Sequence, residues 1–194
     1  MALVNPVQDF QIFLTRLGLD SNAVEAVTEQ TKLLKVDAGQ VLLHQGELQQ
    51  YAYFIHTGIL KAEHDNDSGV ALAKEFYFEQ ELCFLYYSWL SGTLAQYRLE
   101  AVDNAELVRI PIDLLDSPNW QQVKMGLLSQ QLIYKEQKEA FLLLNTPEQR
   151  YLYLVEHRPL WVSKLHNHQL ACYIGINPVS LSRLKARISQ GANI

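Results

Sequence analysis

The sequence predicts an α+β chain in three parts: a β-roll built as a double-stranded β-helix, one long helix, and a small all-α domain ending in a helix-turn-helix. Three observations carry this reading. Turn residues punctuate positions 33–116 about every ten residues, with short runs of Val, Ile, Leu, Tyr and Phe between them, the pattern of a sandwich or barrel. Residues 120–144 then run without a proline and with a single glycine. Finally, the segment from Asn167 to Ile188 sets two short helical patterns on either side of a glycine. The parts fall at 1–118, 119–145 and 146–194.

Before the roll, Phe10, Phe13, Leu14 and Leu17 recur at helical spacing, and Asp20-Ser21 offers caps for a second short helix through Val24 and Val27. Within the roll the turn marks are Ala38-Gly39, Gly46-Glu47, Thr57-Gly58, Asp65 to Gly69, Ser91-Gly92 and Asp103-Asn104. Two strands alternate clearly. In one, Tyr97, Leu99 and Ala101 face one way while Arg98 and Glu100 face the other; in the next, Val108, Ile110 and Ile112 oppose Leu107, Arg109 and Pro111.

The long helix carries two apolar stripes. One seam runs Val123, Leu127, Gln130, Tyr134, Gln137, Phe141, Leu144 at steps of four and three. A second uses Met125, Leu128 and Leu132. A helix apolar on two sides needs two partners: the roll on one side and the same helix of a second subunit on the other, or, as the alternative, burial on both sides within one monomer. Val123, Leu127, Tyr134 and Phe141 are the candidate dimerisation residues. Thr146 before Pro147 then gives a cap followed by proline at the first helical position, which opens the last part of the chain.

Composition narrows the function classes. The 194 residues are 48% hydrophobic, enough for a packed core. Neither a signal peptide nor an apolar run long enough to span a bilayer is present, so a cytoplasmic location with no membrane partner is expected. Cys83 and Cys172 are too far apart and too few for a thiolate-held iron–sulfur cluster. His166 and His168 form an H-x-H pair with no carboxylate or thiol close by, and no metal or other cofactor is expected. There is no Gly-rich phosphate loop, nucleophile elbow or metal-binding helix motif, so catalysis is not expected. A net charge of −5 speaks against coating nucleic acid by bulk charge. It leaves open one small basic element.

That element is the Asn167–Ile188 window. Two helices crossing steeply over a tight turn need a small residue at the crossing, here Ala171, and a turn glycine, here Gly175. Leu170, Ile174, Leu181, Leu184 and Ile188 supply the shared core. Asn177 is a good N-cap and Pro178 a good first residue for the second helix. The opposite face then presents Val179, Ser180, Ser182, Arg183, Lys185 and Arg187, a local basic cluster suited to the major groove. Arg183 is the candidate for bidentate contact to guanine. Ser180, Ser182, Lys185 and Arg187 suit backbone positioning.

This window resembles the helix-turn-helix of the CRP/FNR family, through Leu170, Ala171, Tyr173, Gly175, Ile176, Pro178, Ser180, Leu181, Ser182, Arg183 and Lys185. Glu148-Gln149-Arg150-Tyr151 is similar to the approach to that motif. His44-Gln45-Gly46-Glu47, with Tyr53-Phe54-Ile55 and Gly58, is similar to the opening of the family's cyclic-nucleotide-binding roll. The resemblance implies a homodimer joined through the long helix, binding inverted repeats in double-stranded DNA. RNA polymerase and an unidentified small-molecule effector are candidate partners.

The resemblance fails at two places. The family's nucleotide-binding members hold the cyclic phosphate with a Gly-Glu-Leu turn and an arginine about ten residues on. Here the turn reads Gln80-Glu81-Leu82 and the later segment Ala95-Gln96-Tyr97 has no arginine; Arg98, by strand alternation, points away from the apolar face. No response to cyclic AMP is expected. Glu81, Leu82, Phe84, Tyr97 and Leu99 remain as a candidate effector pocket, with Tyr86, Tyr87 and Trp89 as further aromatic lining or as plain core. At the other end, Ser189–Ile194 is too short for the β-hairpin wing many family members carry, and His157–His166 too short for the usual pair of strands. The reading is therefore a dimeric DNA-binding regulator answering to an effector other than cyclic AMP or to none; the alternative is a non-catalytic ligand-binding or protein-interaction module that has kept the fold.

Overall fold

The computed structural model describes residues 5–65 and 71–191. The turn expected at Asp65–Gly69 lies, beyond Asp65, outside the described residues. The chain divides into two compact units, 1–129 and 130–194.

In the first unit, helices α1 (Pro6–Arg16) and α2 (Ser21–Thr28) form where the apolar spacing predicts them. Asn5 caps α1 by accepting from the Val7 N–H, and Asp20 caps α2 by accepting from the Ala23 N–H. Among the described residues eight strands follow: β1 (Lys32–Val36), β2 (Val41–Leu43), β3 (Tyr51–Thr57), β4 (Leu60–Asp65), β5 (Ala71–Tyr77), β6 (Leu82–Cys83), β7 (Arg98–Ala101) and β8 (Ala105–Pro111). They make two antiparallel four-stranded sheets, β1-β8-β3-β6 and β2-β7-β4-β5, so the sandwich expected from the turn spacing is the observed architecture. A short helix α3 (Tyr86–Ser91) interrupts the run between β6 and β7.

The first sheet is covered on both faces. Tyr53, Ile55, Leu107 and Ala105 point into the sandwich, packed with Leu60, Ala62, Leu99 and Ala101 of the second sheet. Ala52, Phe54, Val108 and Ile110 point the other way, under Phe10, Leu14, Val24 and Val27 of α1 and α2. This explains why β8 carries apolar residues on both of its sides: Leu107 and Val108 are both fully buried, in different cores. Each large side chain removed from water here contributes about 1.5–3 kcal/mol. The strand ends one residue earlier than its alternation suggests, with Ile112 opening a 3-10 turn to Asp116.

Helix α4 (Gln121–Leu144) begins in this unit, where Trp120, Val123 and Leu127 join the core beneath α1 and α2. Val123 is 3% and Leu127 5% exposed, so this end of the seam expected to bind a second subunit is already buried in its own chain. Among the described residues no helix is long and apolar enough to cross a membrane.

In the second unit, Thr146 and Gln149 form a reciprocal capping box at the start of α5 (Pro147–His157), the helix start that Thr146-Pro147 predicts. Helix α6 (Pro159–Lys164) fills the stretch between α5 and α7 (Asn167–Tyr173), and α8 (Pro178–Gly191) completes the unit.

Candidate nucleic-acid interface

The sequence around Gly175 dictates a sharp end to α7. Gly175 takes φ +75°, the left-handed conformation that glycine adopts without steric cost. The Ile176 N–H donates to the Ala171 carbonyl at 3.0 Å and the Gly175 N–H to the Cys172 carbonyl at 3.1 Å, the paired bonds of a Schellman turn. Asn177 then starts α8 by accepting from the Ser180 N–H at 2.7 Å. Leu170, Ala171, Ile174 and Leu181 are fully buried and Leu184 nearly so, which fixes the two helices against each other; Ile188 is only half-buried. At the open end, Asn167 Nδ2 donates to the Pro178 carbonyl at 3.0 Å and to Ser182 Oγ at 3.1 Å.

Of the face expected outward on α8, Val179, Ser180, Ser182, Arg183 and Arg187 are exposed and Lys185 is half-buried, but several of these side chains have partners within the unit. Val179 is 60% exposed, and Ser180 and Arg183 are exposed beside it. Arg183 is the cation of α8 for which, among the described residues, neither an ion pair nor a ring contact is found. Ser182 is tied into the turn, its hydroxyl donating to the Pro178 carbonyl at 3.0 Å while accepting from Asn167. Lys185 and Arg187 turn toward α5. The Lys185 ammonium stands 5.4 Å from the Tyr151 ring centroid, and Arg187 pairs with Glu148 at 2.6 Å. An exposed pair of this kind is worth less than about 1 kcal/mol, so a phosphate can take Arg187 from Glu148 at little cost.

Arg150 was visible in the sequence only as part of a motif, with no role. Its guanidinium donates through Nε to the Asn145 carbonyl at 3.0 Å, through Nη1 to the Ile174 carbonyl at 2.7 Å, and through Nη2 to the Leu142 carbonyl. One side chain thus satisfies carbonyls at the C-terminal ends of both α4 and α7, where the helix dipoles favour a positive charge. A half-buried side chain bonded to backbone carbonyls leaves no periodic signal, so only the structure shows it.

The remaining expected sites are placed differently. Tyr134 and Phe141 face inward in the second unit: the Tyr134 hydroxyl lies 3.0 Å from that of Tyr173, and the Phe141 ring packs on those of Tyr153 and Tyr173. Of the four residues chosen for dimerisation, Val123 and Leu127 are buried in the first unit's core, while Tyr134 and Phe141 are half-buried in the second unit. The apolar side chains of α4 that remain outward are Met125, Leu132, Ile133, Leu143 and Leu144.

The five candidate effector residues are not brought together. Leu82 and Phe84 lie in the core beneath the helices, while Leu99 lies between the sheets with Tyr97 packed against it. Phe84, Tyr86 and Trp89 pack ring against ring, with Phe84 and Tyr86 tilted at centroids 4.2 Å apart and Trp89 edge-on to both, which makes them packing rather than lining; burial pushes the Tyr86 hydroxyl up to about 12, and Tyr87 faces solvent. Glu81 turns its carboxylate onto the Phe78 N–H at 3.0 Å, closing its own turn. Gln80, standing where the family has glycine, keeps the glycine-like φ of +68° and sends its amide to Asp9, which also holds His56 at 2.7 Å. Arg98 points out of the sandwich, as its strand alternation predicts. It pairs with Glu63 and Glu100, each at 2.8 Å, and with Asp65. Burial works against its charge, but the hydrogen bond to Asp65 and the charges of Glu100, Asp65 and Glu63 outweigh it and hold the guanidinium above its ordinary value. Cys83 is fully buried, and burial, with Glu81 adding, keeps its thiol well above the usual range and so in the unreactive protonated form. His166 and His168 are exposed with their rings stacked 5.8 Å apart, and among the described residues no group of three metal-ligating side chains converges.

Comparison with known proteins agrees with this architecture. Residues 33–117 match the cyclic nucleotide-binding domain family. FixK2 from Bradyrhizobium japonicum is similar with a TM-score of 0.70 at 14% identity, over 84% of this chain and 86% of that one. The c-di-GMP responsive global regulator CLP of Xanthomonas campestris is similar with a TM-score of 0.69 at 14% identity, over 89% of this chain and 93% of that one. The catabolite activator protein of Thermus thermophilus is similar with a TM-score of 0.53 at 19% identity, over 90% and 86%. No curated protein matches the chain by sequence. The likeness to the CRP/FNR family that the motifs carry therefore holds at the level of the fold.

Proposed function

We propose that this chain is a homodimeric, DNA-binding transcription regulator of the CRP/FNR type. It would have a roll at 1–118, a pairing helix at 119–145 and a DNA-reading domain at 146–194. The observation that carries the reading is α8. It is capped, braced by Asn167 and Arg150, and presents Val179, Ser180 and Arg183 to solvent on a chain whose net charge is −5. A basic residue held outward on the second helix of a helix-turn-helix suits base reading in the major groove. Lys185 and Arg187 flank it as phosphate contacts. Two such helices about 34 Å apart, one DNA turn, would read an inverted repeat.

The pairing surface is the outward stripe of α4 with Met125, Leu132 and Leu143. The effector is something other than cyclic AMP, or there is none. Gln80 and Glu81 spend their side chains on Asp9 and on the Phe78 N–H, and Arg98 is neutralised by three carboxylates outside the sandwich. A cyclic phosphate buried there would lack its counter-charge, which is costly.

Selection from a randomised duplex pool at fixed salt, with the native chain and Arg183→Ala in parallel, tests the reading. The native chain is expected to enrich an inverted repeat. Arg183→Ala is expected to lose about 1–3 kcal/mol at the base it reads and to relax specificity there. A native chain that enriches nothing at low salt overturns the assignment and leaves an interaction module with a retained fold.

A further inference from the structure

The first unit holds a cavity that the regulator reading does not use. It lies along β2, β3 and the turn between them, with a volume of about 410 Å³. That is within the size range of small-molecule sites, roughly 300–1,000 Å³. None of the five effector residues expected from the sequence lines it. Leu42, Leu43, Leu48, Tyr51 and Tyr53 give it apolar and aromatic walls. Glu47 is the charged residue of its lining. The Glu47 carboxylate accepts the His44 N–H at 3.0 Å and, among the described residues, forms no ion pair. The turn that carries it is pinned: the Gln49 amide donates to the Leu85 carbonyl at 3.2 Å and accepts from the Leu85 N–H at 2.7 Å. The Glu47 carbonyl accepts from the Ala95 N–H at 2.8 Å.

Two cations stand beside these walls. Arg109 of β8 is paired in register with Tyr53 of β3 on one side and with Lys32 of β1 on the other, so the three share one face of the sheet. The Arg109 guanidinium lies 4.3 Å from the Tyr51 ring centroid. Burial, with Cys83 adding, pushes the Tyr53 hydroxyl up to about 12 against the pull of the Arg109 charge, and the protonated hydroxyl donates to the Leu42 carbonyl at 3.2 Å. Like charges directly opposite on neighbouring strands destabilise a sheet. Among the described residues neither Lys32 nor Arg109 forms an ion pair that would offset this.

We infer that this cavity binds an amino acid with an apolar side chain, its carboxylate toward Arg109 and Lys32, its ammonium toward Glu47 and its side chain among Leu42, Leu48 and Tyr51. Two adjacent cations call for an anion, and the carboxylate on the lining calls for a cation. A zwitterion on an apolar body answers both and fits the leucine and tyrosine walls. An uncharged ligand would leave both charges unmatched. The site gives the roll a ligand of its own, and the inference does not require the proposed DNA binding.

The test is calorimetric titration of the full chain with L-leucine, L-phenylalanine and L-tryptophan. Each is run beside the amine that lacks its carboxylate and the acid that lacks its ammonium, phenethylamine and 3-phenylpropanoate in the case of L-phenylalanine. Saturable binding of one amino acid per chain is expected from at least one of the three, with both of its analogues weaker by about tenfold or more. Glu47→Gln keeps an acceptor for the His44 N–H and removes the charge, so it should erase the advantage of the amino acid over the acid. Arg109→Gln should erase its advantage over the amine. Lys32→Gln, at an exposed position, should weaken the amino acid in the same sense and keeps the test open should Arg109→Gln not fold. Arg183→Ala, in the second unit, should leave binding intact. Absence of saturable binding by all three amino acids overturns the site. So does binding that Glu47→Gln and Lys32→Gln leave unaltered. An amine or an acid that binds as tightly as its amino acid overturns the zwitterionic class. None of these readouts involves DNA, so failure here and failure of the regulator reading are separate results.

Discussion

Asp116 shows how a single carboxylate locates three elements of the first unit. Its Oδ1 receives the Lys124 ammonium of α4 at 2.5 Å and its Oδ2 the Trp89 indole N–H of α3 at 2.8 Å, while Lys124 also stands 4.8 Å above the Trp89 ring. The Lys124 hydrogen bond is the main cause that holds Asp116 below its ordinary pKa; burial opposes it, and the Trp89 bond and the Lys124 charge add to it. A carboxylate depressed in the folded state contributes stability that is complete above its unfolded pKa of about 3.9 and is lost as pH falls through the lower folded value. Since the Asp116 side chain is 51% exposed, solvent screens the pair and its contribution is below about 1 kcal/mol. Asp116→Asn keeps an acceptor for Trp89 and removes only the charge. Urea denaturation should show the variant less stable at neutral pH, with the difference closing from about pH 4 downward. A difference that persists unchanged in acid would mean packing, not charge, is the cause.

Among the elements, the turn between α7 and α8 is held from outside by Arg150, and this is where sequence and structure part. The capping residues Thr146, Gly175, Asn177 and Pro178 announce themselves locally, because each fixes a backbone conformation at its own position. The direction of Arg98 was legible too, since two-residue alternation around Leu99 leaves only one choice. The stripes of α4 were legible as stripes but not as partners. A period of 3.6 shows that Val123 and Met125 lie on different faces, but which face meets the roll depends on α1 and α2, far away in sequence. Short α3 and α6, six residues each, are below the length at which periodicity speaks. Arg150 belongs to the same illegible class, because its partners are three backbone carbonyls. Arg150→Met should therefore cost about 2–3 kcal/mol, since the freed carbonyls at two helix ends are only partly rehydrated. Arg150→Lys should recover little, because an ammonium cannot fork to three acceptors in a plane. Hydrogen exchange at α7 and α8 amides checks this, and unaltered protection in Arg150→Met would show that the clamp carries no weight.

At the scale of the whole molecule, the proposed dimer has to be built from what the single chain leaves uncovered. Met125 is 62%, Leu132 63% and Leu143 73% exposed on α4, whereas Val123 and Leu127 are buried. Large apolar side chains exposed along one helix are the mark of an interaction surface, and burying them returns about 25 cal/mol per Å². The two stripes therefore predict opposite phenotypes. Leu132→Lys should leave the fold intact and shift sedimentation equilibrium to the monomer. It should also weaken binding to an inverted repeat more than to a half-site, because only a dimer holds two recognition helices on one duplex. Leu127→Ala should instead cost about 2–5 kcal/mol of folding stability, through a cavity among Phe10, Trp120 and their neighbours, with association unchanged wherever the chain is folded. If Leu132→Lys still sediments as a dimer while Leu127→Ala dissociates, the seam read first from the sequence is the pairing surface after all, and the burial of Val123 and Leu127 in the single chain must be exchanged for burial between subunits.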